Sequence, residues 1–305
     1  MTMQMQHDMK VILGEDFFKE EVKCDYFISE TQKMIWAMEM DLYLVFAEIC
    51  QKYDLQHFVM YGSLLGAVRH NGFVPWDDDI DVGMPRKDYE TFLKIAPKEL
   101  SEPYALQSPF TYPNCYFTNI TIRNSMGTFT PKVFKLLDYN KGIPLDIFPI
   151  DYCDPSTHEQ DRNRIYQHIM KCSSWMKLRC PDLSEEQKNK SLMFKTESPL
   201  YHWDMIQKIA SNPDYNGSEY MTMVVQIPNI KKRPCIYKSE WFASTVMHKF
   251  ETIEVPVPVG WEGVLKVYFG DDYMQFPPVS DRGAINDKLI VDPFVPYMEK
   301  FSMLK

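Results

Sequence analysis

The chain has 305 residues, 45% hydrophobic and 14% aromatic, enough to bury a sizeable core. Its net charge of -9 excludes a nucleic-acid binder that works by neutralising phosphates, since that needs a basic surface. Seven cysteines, an odd number with no C-x-x-C spacing, exclude a disulfide framework or a zinc knuckle and read as free thiols of a reducing compartment. The N-terminal stretch MTMQMQHDMKVILGEDFF has no long apolar run behind basic residues, so the expectation is no signal peptide, no spanning helix and a cytoplasmic location.

From Glu30 to Tyr53, Met34, Ile35, Met38, Leu42, Val45, Phe46 and Ile49 recur at three- and four-residue steps and predict a helix with a Met-rich core face. Phe58-Val59-Met60 predicts a short buried strand stopping at a Tyr61-Gly62-Ser63 turn. A helix over Leu64 to His70 and a turn at Asn71-Gly72 follow. After Trp76 the chain reads Asp77-Asp78-Asp79-Ile80-Asp81-Val82, and on a strand Asp79 and Asp81 would share one face while Ile80 and Val82 enter the core. Two facing carboxylates repel each other. Hard oxygen ligands beside a Gly-Ser turn suit Mg²⁺ (or Mn²⁺) carrying substrate phosphates. A solvated acidic loop fits poorly with the interleaved Ile80 and Val82. A calcium loop would need glycine where Val82 stands and a bidentate Glu where Asp88 stands. The D-x-D of a sugar-nucleotide glycosyltransferase stays open on the aspartates alone.

Pro85 opens a helix to about Ile95, which Pro97 helps to end, and Tyr104 to Gln107 and Tyr116 to Arg123 read as strands. Ile143 to Ile150 is a further strand on which Asp146 is a lone carboxylate among apolar residues. Taken alone, Asp146 reads as half of an ion pair; beside a paired-aspartate strand it reads as a third ligand. Asp151 reads as a turn residue. Asp154 to Ser211 reads as mainly helical, with His168 and His202 as packing or surface residues. Lys231-Lys232-Arg233 reads as a solvated loop, Met223 to Ile227 and Phe250 to Val257 as strands, and Trp261 to Tyr268 as an amphipathic helix capped by Gly270. The expected organisation is a helical region over 1–55, a catalytic core over 56–153, a helical insertion over 154–222 and a C-terminal part of the catalytic domain over 223–305.

Gly62-Ser63 followed by Asp79-Ile80-Asp81-Val82 resembles the nucleotidyltransferase superfamily signature. The fuller string YGSLLGAVRHNGFVPWDDDIDVGMPRKDYETF resembles the LicD family of phosphocholine transferases, to which fukutin and fukutin-related proteins are also similar. GIPLDIFPID from Gly142 and VPVPVGWEGVLKVYFGDDYMQFPP from Val255 are similar to the same family, and the intervening residues match no motif. The resemblance implies an α/β (α+β) fold: a nucleotidyltransferase-type mixed sheet flanked by helices, with a helical insertion. It also implies metal-dependent transfer of a phospho-alcohol, phosphocholine from CDP-choline first and CDP-ribitol behind it, to a hydroxyl of a cell-surface glycan such as teichoic acid, lipopolysaccharide or capsule, with release of CMP. Asp79, Asp81 and Asp146 would be catalytic and metal-binding. Gly62, Ser63, Arg69, Trp76, Asp77 and Arg282 would bind substrate: Gly62 by letting backbone approach a phosphate, Ser63 by its hydroxyl, and Arg69 by its charge. Trp76, Tyr61 and Tyr116 are candidates for a cation–π box around choline, and together with Tyr112 and Phe117 they favour choline over ribitol. Gly283 to Lys288 departs from the His-containing pattern of the family. A lipid-linked acceptor would place the enzyme peripherally at the inner face of the plasma membrane. The rival readings are a nucleotidyltransferase that releases pyrophosphate, the D-x-D glycosyltransferase, and a non-catalytic glycan-binding relative, against which three intact carboxylates argue.

Overall fold

The structure is a computed structural model that describes residues 5–113, 118–177, 184–186, 189, 197–223, 235–283 and 288–302. Helix α1 (Met9–Leu13) and a hairpin of β1 (Glu21–Lys23) and β2 (Tyr26–Ile28) precede the long helix α2 (Glu30–Lys52). The Ser29 hydroxyl starts α2 by accepting the Gln32 N–H. Ile35, Met38, Leu42, Val45, Phe46 and Ile49 lie in the core as the periodicity predicts.

Strand β3 (Phe58–Val59) leads straight into α3 (Tyr61–His70), which begins at Tyr61 rather than Leu64, so Gly62 and Ser63 sit in its first turn and not in a loop before it. The helix ends at Asn71, whose backbone is left-handed at φ 54° and whose N–H returns to the Gly66 carbonyl. Gly66 is needed there, because a Cβ would lie 2.3 Å from the Gly72 carbonyl oxygen. Strand β4 is Asp81–Pro85, so Asp79 precedes the strand and does not share its face with Asp81. The physical reason is that side chains of α2 take the backbone groups around Asp79 that a strand partner would otherwise use. Helix α4 (Arg86–Glu99) runs past Ile95 and through Pro97, whose missing N–H falls in the last turn.

Strands β5 (Tyr104–Gln107), β6 (Ile120–Asn124), β7 (Thr128–Pro131) and β8 (Ile143–Tyr152) follow; Tyr116 and Phe117, expected at the start of β6, lie outside the described residues. Helices α5 (His158–Lys177) and α6 (Pro199–Ala210) pack on each other, and then come β9 (Tyr220–Thr222) and β10 (Ile236–Lys238). Of the expected strand from Met223 to Ile227 only Met223 is described, just after β9, and the Lys231-Lys232-Arg233 cluster lies outside the described residues. The single strand expected over Phe250 to Val257 is a hairpin of β11 (Thr245–Phe250) and β12 (Ile253–Pro258), because the chain reverses at Glu251, φ 55°. Helix α7 (Trp261–Phe269), strand β13 (Leu289–Asp292) and helix α8 (Tyr297–Ser302) complete the chain.

The main sheet runs β10-β9-β8-β4-β3, with β6 also paired to β8 and β5 to β6. Its centre is β8, parallel to β4 and antiparallel to β6. The fold is therefore α+β with a mixed sheet, and α2 packs on β8 and β6 while α4 packs on β8 and β4. No helix among the described residues is long and apolar enough to cross a membrane.

Asp151 is not a turn residue but a buried member of β8. Arg86 at the start of α4 grips it bidentately, Nε to Oδ1 and Nη2 to Oδ2, both at 2.6 Å, and its Nη1 donates to Gln207 on α6. Asp151→Asn leaves the guanidinium buried without its counter-charge, and is expected to cost about 3–5 kcal/mol in urea denaturation. The double variant Arg86→Met with Asp151→Leu should recover most of that loss.

Two buried histidines oppose the fold in acid. Burial pushes the imidazoles of His57 and His158 down to about 4. The unfolded chain takes up these two protons near the ordinary histidine value of about 6.5, so between those limits the two groups' own contribution to stability falls as pH falls. In a His57→Gln, His158→Gln double variant this loss between about pH 6.5 and about pH 4 should disappear, and a difference in melting temperature between the variant and the unmodified protein that does not change over that range would contradict the linkage.

Candidate active site

Three side chains on one face of α2, spaced by four and three residues, hold the loop that carries the aspartates. Gln32 Nε2 donates to the carbonyls of Pro75 (2.9 Å) and Asp77 (3.1 Å), and Trp36 Nε1 donates to the Asp77 carbonyl at 2.8 Å. Glu39 Oε2 accepts the Ile80 N–H at 3.3 Å. None of the three stands out in a Met-rich helical stripe, although a fully buried Glu39 inside an apolar helix is the one signal that could have been read.

On this rack the carboxylates converge. Oxygens of Asp77, Asp78 and Asp79 lie within 4.8 Å of one another. Asp81 on β4 stands directly beside Asp146 on the parallel strand β8, so both project from the same face of the sheet. The close trio is thus Asp77, Asp78 and Asp79, with Asp81 and Asp146 forming an adjacent pair. Thr121 on β6 donates to Asp146 Oδ1 at 2.7 Å.

Burial first, then Asp81, Asp77, Asp78 and Glu39, push the Asp79 carboxyl well above the usual carboxylate range. Burial and then Asp146, Asp77 and Asp78 do the same to Asp81. Asp77 is pushed up to about 7 by burial and by Asp78, and Asp78 to about 6 by burial. Glu39 is raised by burial and, more weakly, by Asp146, Asp78 and Asp81, and its Oε1 is buried without a hydrogen-bond partner. Arg123 feels the field of Asp146 but spends its donors on Gln107 and the carbonyls of Phe129 and Gly142. Among the described residues no Lys or Arg is ion-paired with any of these carboxylates. A set of hard oxygens, mutually repelling and without a paired cation, fits a divalent ion such as Mg²⁺ or Mn²⁺.

The other anticipated residues meet here in altered roles. Gly62 makes room for a carboxylate: a Cβ on it would lie 1.9 Å from Asp77 Oδ2. Asp77 therefore rests against the first turn of α3, where a negative charge is favoured. The Ser63 hydroxyl accepts the Asp81 N–H at 2.9 Å, which fixes the start of β4. Tyr61 is core, packed edge-on to Phe148 and tilted on Tyr268, so it lines no choline box. Tyr112 is partly buried against the same core. Trp76 is half-buried next to Asp77, but its ring already carries guanidiniums, Arg282 at 4.6 Å and Arg69 at 5.7 Å from ring centre to Cζ. Arg69 and Arg282 thus come together at the far end of α3, on Trp76 and Phe276.

Parallel strands that set carboxylates side by side next to a Gly-Ser helix start define a nucleotidyltransferase-type domain. Residues 54–178 match the family model described as LicD/FKTN/FKRP, nucleotidyltransferase domain, so the chain carries a LicD-type domain over this stretch. It is 26% identical over 260 aligned positions to the lipopolysaccharide cholinephosphotransferase LicD of Haemophilus influenzae, covering 78% of this chain and 89% of that protein. An uncharacterized protein of Rickettsia typhi is 30% identical over 112 residues, 36% of this chain and 34% of that protein. One of Rickettsia prowazekii is 29% identical over 119 residues, 39% of this chain and 42% of that protein.

Asp79→Asn or Asp81→Asn removes one of several mutually repelling charges, so the metal-free melting temperature is expected to hold or rise. Mg²⁺ should stabilise the unmodified protein, by about 2.7 kcal/mol at a hundredfold excess over Kd, and should not stabilise either variant. Equal stabilisation of all three by Mg²⁺ would show that these aspartates hold no ion.

Proposed function

We propose that this protein transfers phosphocholine from CDP-choline to a hydroxyl of a cell-surface glycan and releases CMP. The observation that carries this reading is the meeting of Asp77, Asp78 and Asp79 with the Asp81–Asp146 pair, a carboxylate face with no paired cation among the described residues. It is supported by the name of the Haemophilus influenzae relative, which specifies cholinephosphate and lipopolysaccharide.

Asp79, Asp81 and Asp146 would hold one or two divalent ions, with Asp77 and Asp78 next to them. Bound there, Mg²⁺ or Mn²⁺ would supply positive charge to the diphosphate oxygens and to the departing CMP. The chain's own residues do the remaining work. Gln32, Trp36 and Glu39 fix the backbone of the aspartate loop, so its carboxylates are already in place before substrate arrives. Thr121 orients Asp146 through Oδ1 and leaves Oδ2 to accept the proton of the acceptor hydroxyl. The deprotonated acceptor oxygen then bonds to the phosphorus bearing choline, the bond from this phosphorus to the bridging oxygen breaks, and the electron pair leaves with CMP. Other CDP-alcohols, ribitol among them, would follow the same course. The enzyme would act in the cytoplasm, peripherally at the inner face of the membrane where the acceptor is lipid-linked.

Incubation with CDP-choline, CDP-ribitol and Mg²⁺ should release CMP, fastest from CDP-choline. Asp81→Asn should reduce that release at least a hundredfold, the low end of about 10²–10⁴-fold typical for lost catalytic groups. Pyrophosphate as the product from a nucleoside triphosphate would assign nucleotidyl transfer instead, and a nucleoside diphosphate from a sugar nucleotide would assign glycosyl transfer.

A further inference from the structure

Arg69 and Arg282 are tethered by neutral groups. Arg69 Nη1 donates to the carbonyls of Tyr273 (2.7 Å) and Gln275 (3.0 Å), and its Nε donates to His70 Nε2 at 2.9 Å. Arg282 Nε donates to the Pro277 carbonyl at 2.9 Å and its Nη1 to the Cys24 carbonyl at 2.7 Å. A carboxylate partner would cancel each charge, whereas a carbonyl only orients it. His70 adds no negative charge either: it accepts through Nε2, and burial, then Arg69, push its imidazole down to about 4.

Each guanidinium has five N–H donors, and the bonds above leave both Nη2 groups without a protein acceptor among the described residues. The two cations also oppose each other: burial first, and then Arg282, lowers the affinity of Arg69 for its proton. Two like charges over the shared rings of Trp76 and Phe276 make a locally positive wall that an anion would neutralise. Phe276 is 47% exposed, so this wall opens to solvent.

From these contacts we infer that Arg69 and Arg282, on the Trp76–Phe276 wall, form a second anion subsite that takes a phosphate group. The subsite serves the transfer proposed above and lies apart from the reacting phosphorus. Gly62, under Asp77, and Arg69 stand near opposite ends of α3, a rise of about 10 Å. The anion is therefore a phosphate other than the one that reacts: the donor's second phosphate or a phosphate of the acceptor. A quaternary ammonium is excluded from this wall by two positive charges, which places choline elsewhere in the site and replaces the expected aromatic box at Trp76.

The test uses the full-length protein and begins without metal. In EDTA at physiological salt, where charges beyond about 8 Å are screened, calorimetric titration with inorganic phosphate reads the arginine pair and does not depend on CMP release. The unmodified protein is expected to bind phosphate, and Arg282→Gln to bind it at least about tenfold more weakly. Arg282→Lys loses the same carbonyl tethers but keeps the charge, so it should retain most of the affinity. Equal binding by the unmodified and Gln forms, or equal losses in Gln and Lys, overturns the inference. Arg69→Gln and Arg69→Lys give the same comparison where melting shows that Arg282→Gln is unfolded.

With Mg²⁺ and CDP-choline the variants identify the source. A raised KM for CDP-choline in acceptor-free CMP release points to the donor's phosphate, and a raised KM for the glycan alone points to the acceptor's. Unchanged KM for both overturns the subsite. An absence of CMP release from the unmodified protein would fail the transfer reading while the phosphate titration still decides the subsite.

Discussion

The structure depends on one constraint: carboxylates must be held facing one another against their own repulsion. Two hydrogen bonds converge on the Asp77 carbonyl, from Gln32 and Trp36, and Glu39 takes the N–H of Ile80 between Asp79 and Asp81. These bonds go to backbone groups, so α2 fixes the positions of the aspartates without occupying their carboxylates. Ser63 adds a further tie at Asp81, and the parallel register of β4 and β8 does the rest by placing Asp146 at the same level. A fold gains nothing from such a cluster by itself, since burial raises the cost of every charge in it. Its retention makes sense when a cationic ligand belongs among the oxygens.

Helix α3 gives the site a direction. Its start bears Gly62, against which the Asp77 carboxylate lies, and its end bears Arg69, which meets Arg282 on Trp76. One end therefore gathers negative charge and the other positive charge. Gly62 and Gly66 make this possible by closeness, since Asp77 Oδ2 and the Gly72 carbonyl oxygen occupy the positions where their side chains would stand. Arg282 also joins the loop after α7 to the β1–β2 hairpin through the Cys24 carbonyl, so segments far apart in the chain share one wall.

Local pattern carried much of this into view. The periodicity of α2, the apolar β3, the strand β8 and the Gly-capped α7 were legible because each depends on neighbours within a few residues. The acidic run and Asp146 were legible as chemistry, because carboxylates among core residues are expensive. What escaped was long-range pairing. Asp79 lies off the strand because α2, about forty residues earlier in the chain, takes the backbone around it, and Asp151 looked like a turn residue because Arg86 is 65 positions away. Trp76 and Tyr61 looked like open aromatic faces, and nothing nearby in sequence announces that guanidiniums cover one and that Phe148 and Tyr268 enclose the other.

The extent of the working unit follows from the same bonds. The family match begins at residue 54, after α2, yet the side chains that seat the aspartate loop all come from α2. A chain starting at the matched boundary would leave the Pro75 and Asp77 carbonyls and the Ile80 N–H without their present partners, at about 1–3 kcal/mol for each such group left buried. It would also uncover the faces of β8 and β6 on which α2 packs. The loop would then be free to let its carboxylates move apart, which is the relaxation that their repulsion favours. The carboxylates of the candidate site and the α2 side chains that hold their loop thus lie on opposite sides of the matched boundary, and α2 is as much a part of the site as the strand that bears Asp81.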